Sequence, residues 1–405
     1  MKQQIKLYPN TKTKIAIGLL SGTSVDGIDA VIVKIRGYGI NTKLEVIDFQ
    51  SYPIPVEVKK AVLKNSYDKS AIVSEICRLN SILGILFSVA VIKISKKNGL
   101  LRNGKVLADF IGSHGQTIHH LPDTEMFAGH KIKSTLQIGD PSVIANLTGV
   151  TTVGDFRIAE CAVNGDGAPL VPYLDYILFS SKTLNRGLLN IGGISNITVI
   201  PKKATKGDVF AFDTGPGNML IDGLVSKLFG KRFDKDSILA RKGDLNSMLF
   251  EFLLIDKTYK KKPPKSTGRE QYGSEYQETI LREAKAMSKN DIIRTVTEFT
   301  PYTIWYNYEK YIKPKVKLDE LIVSGGGCKN KIIMNSLRKY FKGIKVKEID
   351  SFGISADSKE AVLFAVLANE CLAGNSANMP SVTGSKKDVI LGKICLAYEN
   401  KINII

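Results

Sequence analysis

The sequence predicts an α/β protein of two lobes, and three observations carry that expectation. The chain has 405 residues, room for about two domains of ordinary size. Short apolar runs with strand-like period alternate with longer helical patterns, as in layered α/β folds. A unit of strand, glycine turn and strand occurs near the start and again near residue 190. The two cycles lack the fixed period of a solenoid and read as two related lobes.

In chain order, the apolar run Lys14–Leu20 leads into Ser21-Gly22-Thr23-Ser24, and Ile28–Ile35 then alternates at period two, so this is strand, tight turn, strand. From Leu79 the apolar positions 79, 82, 83, 86, 87, 90, 91 and 94 trace one face of a long amphipathic helix. Val106–Ile111 reads as a short strand ending in Gly112-Ser113-His114-Gly115-Gln116-Thr117, which places polar groups where open α/β sheets build sites. The second cycle has strands at Gly187–Ile191 and Ile194–Ile200 around Gly192-Gly193. Val209–Phe212 then runs into Asp213-Thr214-Gly215-Pro216-Gly217-Asn218 and a helix from about Met219 to Phe229. Ser237–Asp256, Glu275–Met287 and Asp291–Ile312 are helical patterns, with Thr300 and Pro301 placed as cap and first helical residue. Lys257–Gly273, rich in Lys and Pro, reads as an exposed loop. Leu321–Val323 leads into Ser324-Gly325-Gly326-Gly327 and a helix at Cys328–Lys339.

Hydrophobic residues make up 43% and charged residues 24%, so the chain can bury a sizeable core and is not an intrinsically disordered one. The net charge of +18, with a pI near 9.4, raises nucleic acid, anionic membrane and acidic small molecules as partners. The densest lysine runs, Lys260–Lys262 with Lys265 and Lys202–Lys206, sit beside Pro, Thr and Gly and read as solvated loop charge, so no nucleic acid is expected. Cys77, Cys161, Cys328, Cys371 and Cys395 form no Cys-x-x-Cys pair, which suits reduced thiols in the cytoplasm. No secretory pattern opens the sequence, because Met1–Lys14 is polar and the apolar run after it is short. The most membrane-like stretch, Ile82–Ile94, falls short of the ~20 residues a span needs, so a buried helix is expected and no membrane.

Gly22, Thr23, Ser24, Val25, Asp26, Gly27, Ile28 and Asp29 form the first candidate site. Glycines allow close backbone approach, and hydroxyls with backbone amides suit a phosphate chain. Asp26 and Asp29 suit magnesium or its waters. No Gly-Lys-Ser/Thr follows, so this is not a P-loop. Gly192 and Gly193, Gly215 and Gly217, and Gly325, Gly326 and Gly327 likewise follow short apolar strands; a nucleotide clamped between two lobes explains all four turns. Asp213 suits metal or phosphate positioning, and the triple glycine suits the adenosine group. Ser113, His114, Gln116 and Asp140 offer polar groups at strand ends, where a substrate is read. Arg157 suits a carboxylate or phosphate, with a structural pair to Asp155 or Glu160 as the alternative. His119, His120 and His130 have no partner at zinc spacing, and no Gly-x-Ser-x-Gly elbow occurs.

In combination, Gly22–Asp29, Gly112–Thr117, Gln137–Pro141, Gly154–Arg157, Gly167–Pro172, Asn190–Asn196, Asp213–Asn218, Ser266–Glu270, Thr295–Thr300, Ser324–Gly327 and Pro380–Gly384 resemble the anhydro-N-acetylmuramic acid kinase family, over nearly the whole chain. That family belongs to the sugar kinase, actin and heat-shock chaperone superfamily. The resemblance implies an actin-like (ribonuclease H-like) sugar kinase fold with a nucleotide cleft between lobes, divided as 1–184 plus 375–405 and 185–374. It implies the use of ATP, with magnesium, and water to open 1,6-anhydro-N-acetylmuramic acid and yield N-acetylmuramic acid 6-phosphate, in peptidoglycan recycling, by a homodimer. It assigns Asp155, in Asp-Phe-Arg, as the base that activates water, with a loop cap or a partner for Arg157 as the structural alternative, and it sets Ser113, His114, Gln116 and Asp140 where sugar hydroxyls and the acetamido group are read. Departures from the family pattern are Glu160 in place of Asp, Asn164-Gly165-Asp166-Gly167 in place of Gly-Gly-Gln-Gly, and Leu20 where the superfamily commonly carries an aspartate. The rival readings are a kinase of another sugar in the same superfamily and a silent nucleotide-dependent binding protein.

Overall fold

The computed structural model describes residues 12–67 and 69–398. Two compact units divide the chain: one is built up to Leu178 and again from Gly353, the other from Phe179 to Phe352.

The first unit opens with β1 (Lys14–Ser21), β2 (Gly27–Arg36), β3 (Lys43–Pro53), α1 (Val56–Asn65) and α2 (Val73–Lys97). It continues with β4 (Leu101–Arg102), β5 (Lys105–Val106), β6 (Phe110–Phe127), β7 (His130–Ile138), α3 (Pro141–Thr148), β8 (Thr152–Gly154), α4 (Ile158–Cys161) and α5 (Val171–Phe179). The second unit holds β9 (Arg186–Ile191), β10 (Ile194–Ile200), β11 (Phe210–Pro216), α6 (Asn218–Phe229), α7 (Ser247–Leu254), α8 (Arg269–Tyr272), α9 (Ser274–Glu283), α10 (Lys289–Asn307), β12 (Glu320–Ser324), α11 (Lys331–Tyr340) and β13 (Lys345–Glu348). The chain returns to the first unit with α12 (Lys359–Leu372), α13 (Pro380–Thr383) and β14 (Lys393–Cys395).

Both units share one strand order. In the first, β3-β2-β1-β6-β8 runs in sequence across the sheet, with β14 added beyond β8 and β7 paired to β6. β1 is antiparallel to β2 and parallel to β6, and β6 is parallel to β8. In the second, the order is β11-β10-β9-β12-β13, again with an antiparallel meander and two strands parallel to its first. A sheet of this order is ribonuclease H-like, and two of them in one chain are the actin-like sugar kinase architecture.

The sequence KIAIGLLS of β1 is buried at almost every position, as expected of a central strand covered on both faces. Its alternation sorts the two faces. Ile17 and Leu19 join Leu79, Leu83, Phe87 and Val91 of α2 in one core. Gly18 faces α12: a Cβ there would lie 2.0 Å from Ala361 O, and one at Gly112 of β6 2.0 Å from Phe364 O. Two glycines therefore let α12 lie flat on the sheet. α2, at 25 residues, is longer than its apolar run suggested and is long and apolar enough to cross a membrane, yet its inner stripe forms this core.

Three local expectations are corrected. Gly112–Thr117 lies within β6 rather than beyond its end, because β6 runs on to pair with β7. Pro301 sits inside α10, whose cap is Ser288, its side chain accepting the Asp291 N–H at 3.1 Å. The buried face Ile292, Ile293, Val296, Phe299 and Ile304 runs through the proline, so packing overrides the helix break that proline favours. Lys257–Gly273 is only partly exposed: Tyr259 and Tyr272 are fully buried, and the segment straps across β11.

Candidate active site

Three parallel strands position the first unit's polar residues: β1 and β8 at their carboxyl ends, where such sheets place ligands, and β6 within its length beside them. β1 ends in Ser21, whose Oγ donates to Gln116 Oε1 at 2.6 Å. The turn that follows is closed by the Val25 N–H donating to Gly22 O at 3.0 Å. Val25, at φ +54, buries its side chain in the core, and Thr23 and Ser24 are exposed. A Cβ at Gly22 would meet nothing within 4 Å, so nothing in the protein requires glycine there and the space is open to a ligand. Asp26 is ion-paired with Lys59. Gly27 begins β2 beside Tyr52 O, Ile28 is buried, and burial raises the pKa of Asp29, with Ser51 acting against the shift.

Beside this turn, β6 carries Ser113, His114 and Gln116, all buried, and β8 ends at Gly154 to present Asp155. Asp155 adopts φ +54, a left-handed conformation that aspartate tolerates better than most residues, and its carboxylate is ion-paired with Lys393 of β14. Arg157 turns the other way and donates Nε–H to His114 Nε2 at 2.9 Å. Ser113 Oγ accepts the Gly115 N–H at 3.3 Å. Asp140 is the N-cap of α3: its Oδ1 accepts the Ser142 N–H at 2.8 Å and its Oδ2 the Asn80 amide at 3.2 Å.

The segment that departs from the family pattern folds as a pinned loop. Glu160 is fully buried and its Oε1 accepts from Thr383 Oγ1, while its Oε2 has no hydrogen bond. Burial holds its pKa above the ordinary range, against the opposing pull of Thr383, Asn378 and Ser385 nearby. The Gly165 N–H donates to Glu160 O, the Asp166 N–H to Thr383 O, and Asp166 pairs with Lys133.

In the second unit the three glycine turns converge. The Gly217 N–H donates to Gly193 O at 2.9 Å and the Asn218 N–H to Gly192 O at 2.7 Å. Gly217 leaves no space for a side chain, since a Cβ would lie 2.3 Å from Gly192 O. Gly325, at φ +83, and Gly327 press on Ile191, and Gly326 lies beside the Asn218 side chain. Gly215 needs its own conformational freedom at φ +144, against Thr303. The helix after the triple glycine begins at Lys331, capped by Asn330, behind a short 3-10 turn. Asp213 lies within β11; burial raises its pKa to about 6, against the Thr267 N–H and Lys265. Among the described residues no group of three or more His, Cys, Asp or Glu is arranged to hold a metal ion. Asp26, Asp29 and Asp213 thus fit magnesium only as partners of waters around a phosphate-bound ion.

Three residues escaped sequence reasoning. Lys393 reaches Asp155 from 238 positions away. Lys265 sits under Asp213. Glu360, in the first turn of α12, is exposed yet faces Asp29 and Arg157, and crowding by the surrounding protein with the charge of Asp29 raises its pKa.

Residues 14–397 match the family described as anhydro-N-acetylmuramic acid kinase. An anhydro-N-acetylmuramic acid kinase of Caldanaerobacter subterraneus subsp. tengcongensis is 44% identical over 98% of this chain and 100% of that one. One of Clostridioides difficile is 44% identical over 94% and 97%. The activator of 2-hydroxyisocaproyl-CoA dehydratase from Clostridium difficile, solved with bound ADPNP, is similar at a TM-score of 0.44 and 9% identity, over 88% of this chain and 95% of that one. With its full-length match and its paired ribonuclease H-like sheets, the chain belongs to the anhydro-N-acetylmuramic acid kinase family.

Proposed function

We infer that the protein is an ATP-dependent kinase that opens 1,6-anhydro-N-acetylmuramic acid with water and phosphorylates O6, giving N-acetylmuramic acid 6-phosphate for peptidoglycan recycling. The structural observation that supports it is the gathering, at the carboxyl ends of β1 and β8 and on the adjoining stretch of β6, of an open glycine turn, a row of buried polar groups and the carboxylate of Asp155.

In the proposed chemistry Asp155 takes a proton from water as the water oxygen bonds to the anomeric carbon, as a base does in inverting glycosidases. The bond from that carbon to O6 breaks, and O6 takes the γ-phosphoryl group, leaving ADP. The turn Gly22–Asp29 holds phosphates through its backbone, and the glycines at 192–193 and 215–217 let the chain come close to them; Gly325–Gly327 approach the adenosine. Magnesium, when bound with ATP, neutralises phosphate charge. Ser113 and Gln116 read polar groups of the sugar, and Arg157 meets an anion. Five cysteines, none of them in a disulfide, suit a reducing, cytoplasmic compartment, and a homodimer is expected from the resemblance.

The test is ADP release with a panel of sugars. Turnover is expected with 1,6-anhydro-N-acetylmuramic acid and not with glucose or N-acetylmuramic acid; phosphorylation of either of the latter instead would move the assignment to an ordinary sugar kinase.

A further inference from the structure

Arg157 is held by a partner of an uncommon kind. Its Nε–H donates to His114 Nε2 at 2.9 Å and its Nη1 to Gly167 O at 3.4 Å. Among the described residues no carboxylate lies within ion-pair distance of it and Nη2 makes no hydrogen bond. Glu360 and Glu160 act on it only from further off.

An imidazole nitrogen that accepts a hydrogen bond carries no proton, so the proton of His114 is on Nδ1. Nδ1 faces Gly115 O at 3.1 Å. Both ring nitrogens are therefore occupied, and nothing of His114 is left to contact a sugar. The ring is buried against Phe364, with centroids 4.6 Å apart. Burial, then the Arg157 charge, bring its pKa down to about 3, so it stays neutral.

We propose that His114 is a positioning residue: its neutral ring fixes Arg157 without discharging it, so that the guanidinium meets an anionic group of the bound reactants at full charge. This rests on the function inferred above. A carboxylate in place of His114 would orient Arg157 equally well but cancel its charge, and an exposed arginine would keep its charge and lose its aim. A largely enclosed cation with no counter-ion is costly unless the ligand supplies one. The anion is either the lactyl carboxylate of the sugar or the phosphoryl group in transfer, and the shared chemistry is a planar or tetrahedral oxyanion read by two N–H groups.

The experiment compares H114Q, whose amide oxygen can still accept from Nε, with H114E, using 1,6-anhydro-N-acetylmuramic acid and 1,6-anhydro-N-acetylglucosamine, which lacks the lactyl acid. H114Q is expected to stay within about threefold of the parent in kcat/KM, and H114E to fall at least about tenfold below H114Q. A fall carried by KM with the acidic sugar alone identifies the lactyl carboxylate. A fall in kcat with both sugars identifies the phosphoryl group. Equal losses in H114Q and H114E would overturn the proposal. A second measurement needs no variant: nitrogen NMR of the parent protein near pH 7 should show His114 neutral with its proton on Nδ1, and a proton on Nε2 would also overturn it. The parent's turnover in the same assay tests the inferred function separately.

Discussion

The backbone N–H of Thr267 donates to Asp213 Oδ2 at 2.8 Å, and the Asp213 N–H donates in turn to Lys265 O at 3.3 Å. The lysine-rich strap is thereby laced along β11. Lys265 locks it from beneath: its ammonium donates to Tyr259 O at 2.5 Å and Asn307 Oδ1 at 2.6 Å. It also lies 5.8 Å from the Phe212 ring and 5.6 Å from that of Tyr311. Burial lowers its pKa to about 8, against the attraction of Asp213 and Asp256.

Lys265→Met leaves the buried Asn307 Oδ1 without its donor, while Tyr259 O keeps the Asn307 amide, a cost of about 1–3 kcal/mol. Chemical denaturation should show that loss. Because the strap positions Asp213, KM for ATP should rise several-fold while KM for the sugar stays put; an unchanged KM for ATP would separate the strap from nucleotide binding.

Asp155→Asn should fold normally and bind ATP normally, because the Asp155 carboxylate pairs with Lys393, whose side chain is exposed. Loss of the base should lower kcat by about 10²–10⁴-fold. Nucleotide titration and single-turnover kinetics read the two effects apart, and near-parental kcat would remove Asp155 from the chemistry.

Glycines at two positions should behave oppositely. Gly112→Ala forces a methyl group to within 2.0 Å of Phe364 O, and overpacking of this kind costs about 1–3 kcal/mol or more. Gly22→Ala meets no protein atom within 4 Å, so its melting temperature should match the parent's while KM for ATP rises. Unchanged ATP binding in Gly22→Ala would mean that the open space beside the turn is not where phosphates lie.

The raised pKa of Glu160 has a definite sign in stability. The native carboxyl holds its proton to higher pH than it does in the unfolded chain, so between the two values the native state binds more protons and stability falls as pH rises. The cost is complete above the native value. Glu160→Gln keeps an acceptor for Thr383 and carries no charge, so its stability should vary less between pH 4 and pH 8 than the parent's, in paired thermal melts. A parallel dependence would assign the shift elsewhere.

The two strand-turn-strand units were legible because hairpins and glycine turns are local: β1, β2, β9 and β10 fall where alternation and turn residues placed them. The convergence of Gly192–Gly193, Gly217 and Gly326 was legible only as a shared position after a strand. Pro301 misled because a proline reads as a helix start until a buried face such as Ile293, Val296 and Phe299 carries the helix through it. Asp155 drew notice through family resemblance, since no spacing distinguishes it from other loop aspartates. Lys393 and Glu360 left no local trace at all: one reaches Asp155 by strand pairing between β14 and β8, the other reaches Asp29 because Gly18 and Gly112 let α12 settle on the sheet. His114 looked like a sugar reader, and only the Arg157 hydrogen bond shows that its ring is already engaged.

The measurement closest to the central claim is a mass-resolved incubation of the protein with magnesium-ATP, 1,6-anhydro-N-acetylmuramic acid and oxygen-18 water. The account predicts N-acetylmuramic acid 6-phosphate carrying one oxygen-18 at the anomeric position and none in the phosphate. Phosphorylated product without the heavy oxygen, or ADP formed while the anhydro ring stays closed, would contradict it.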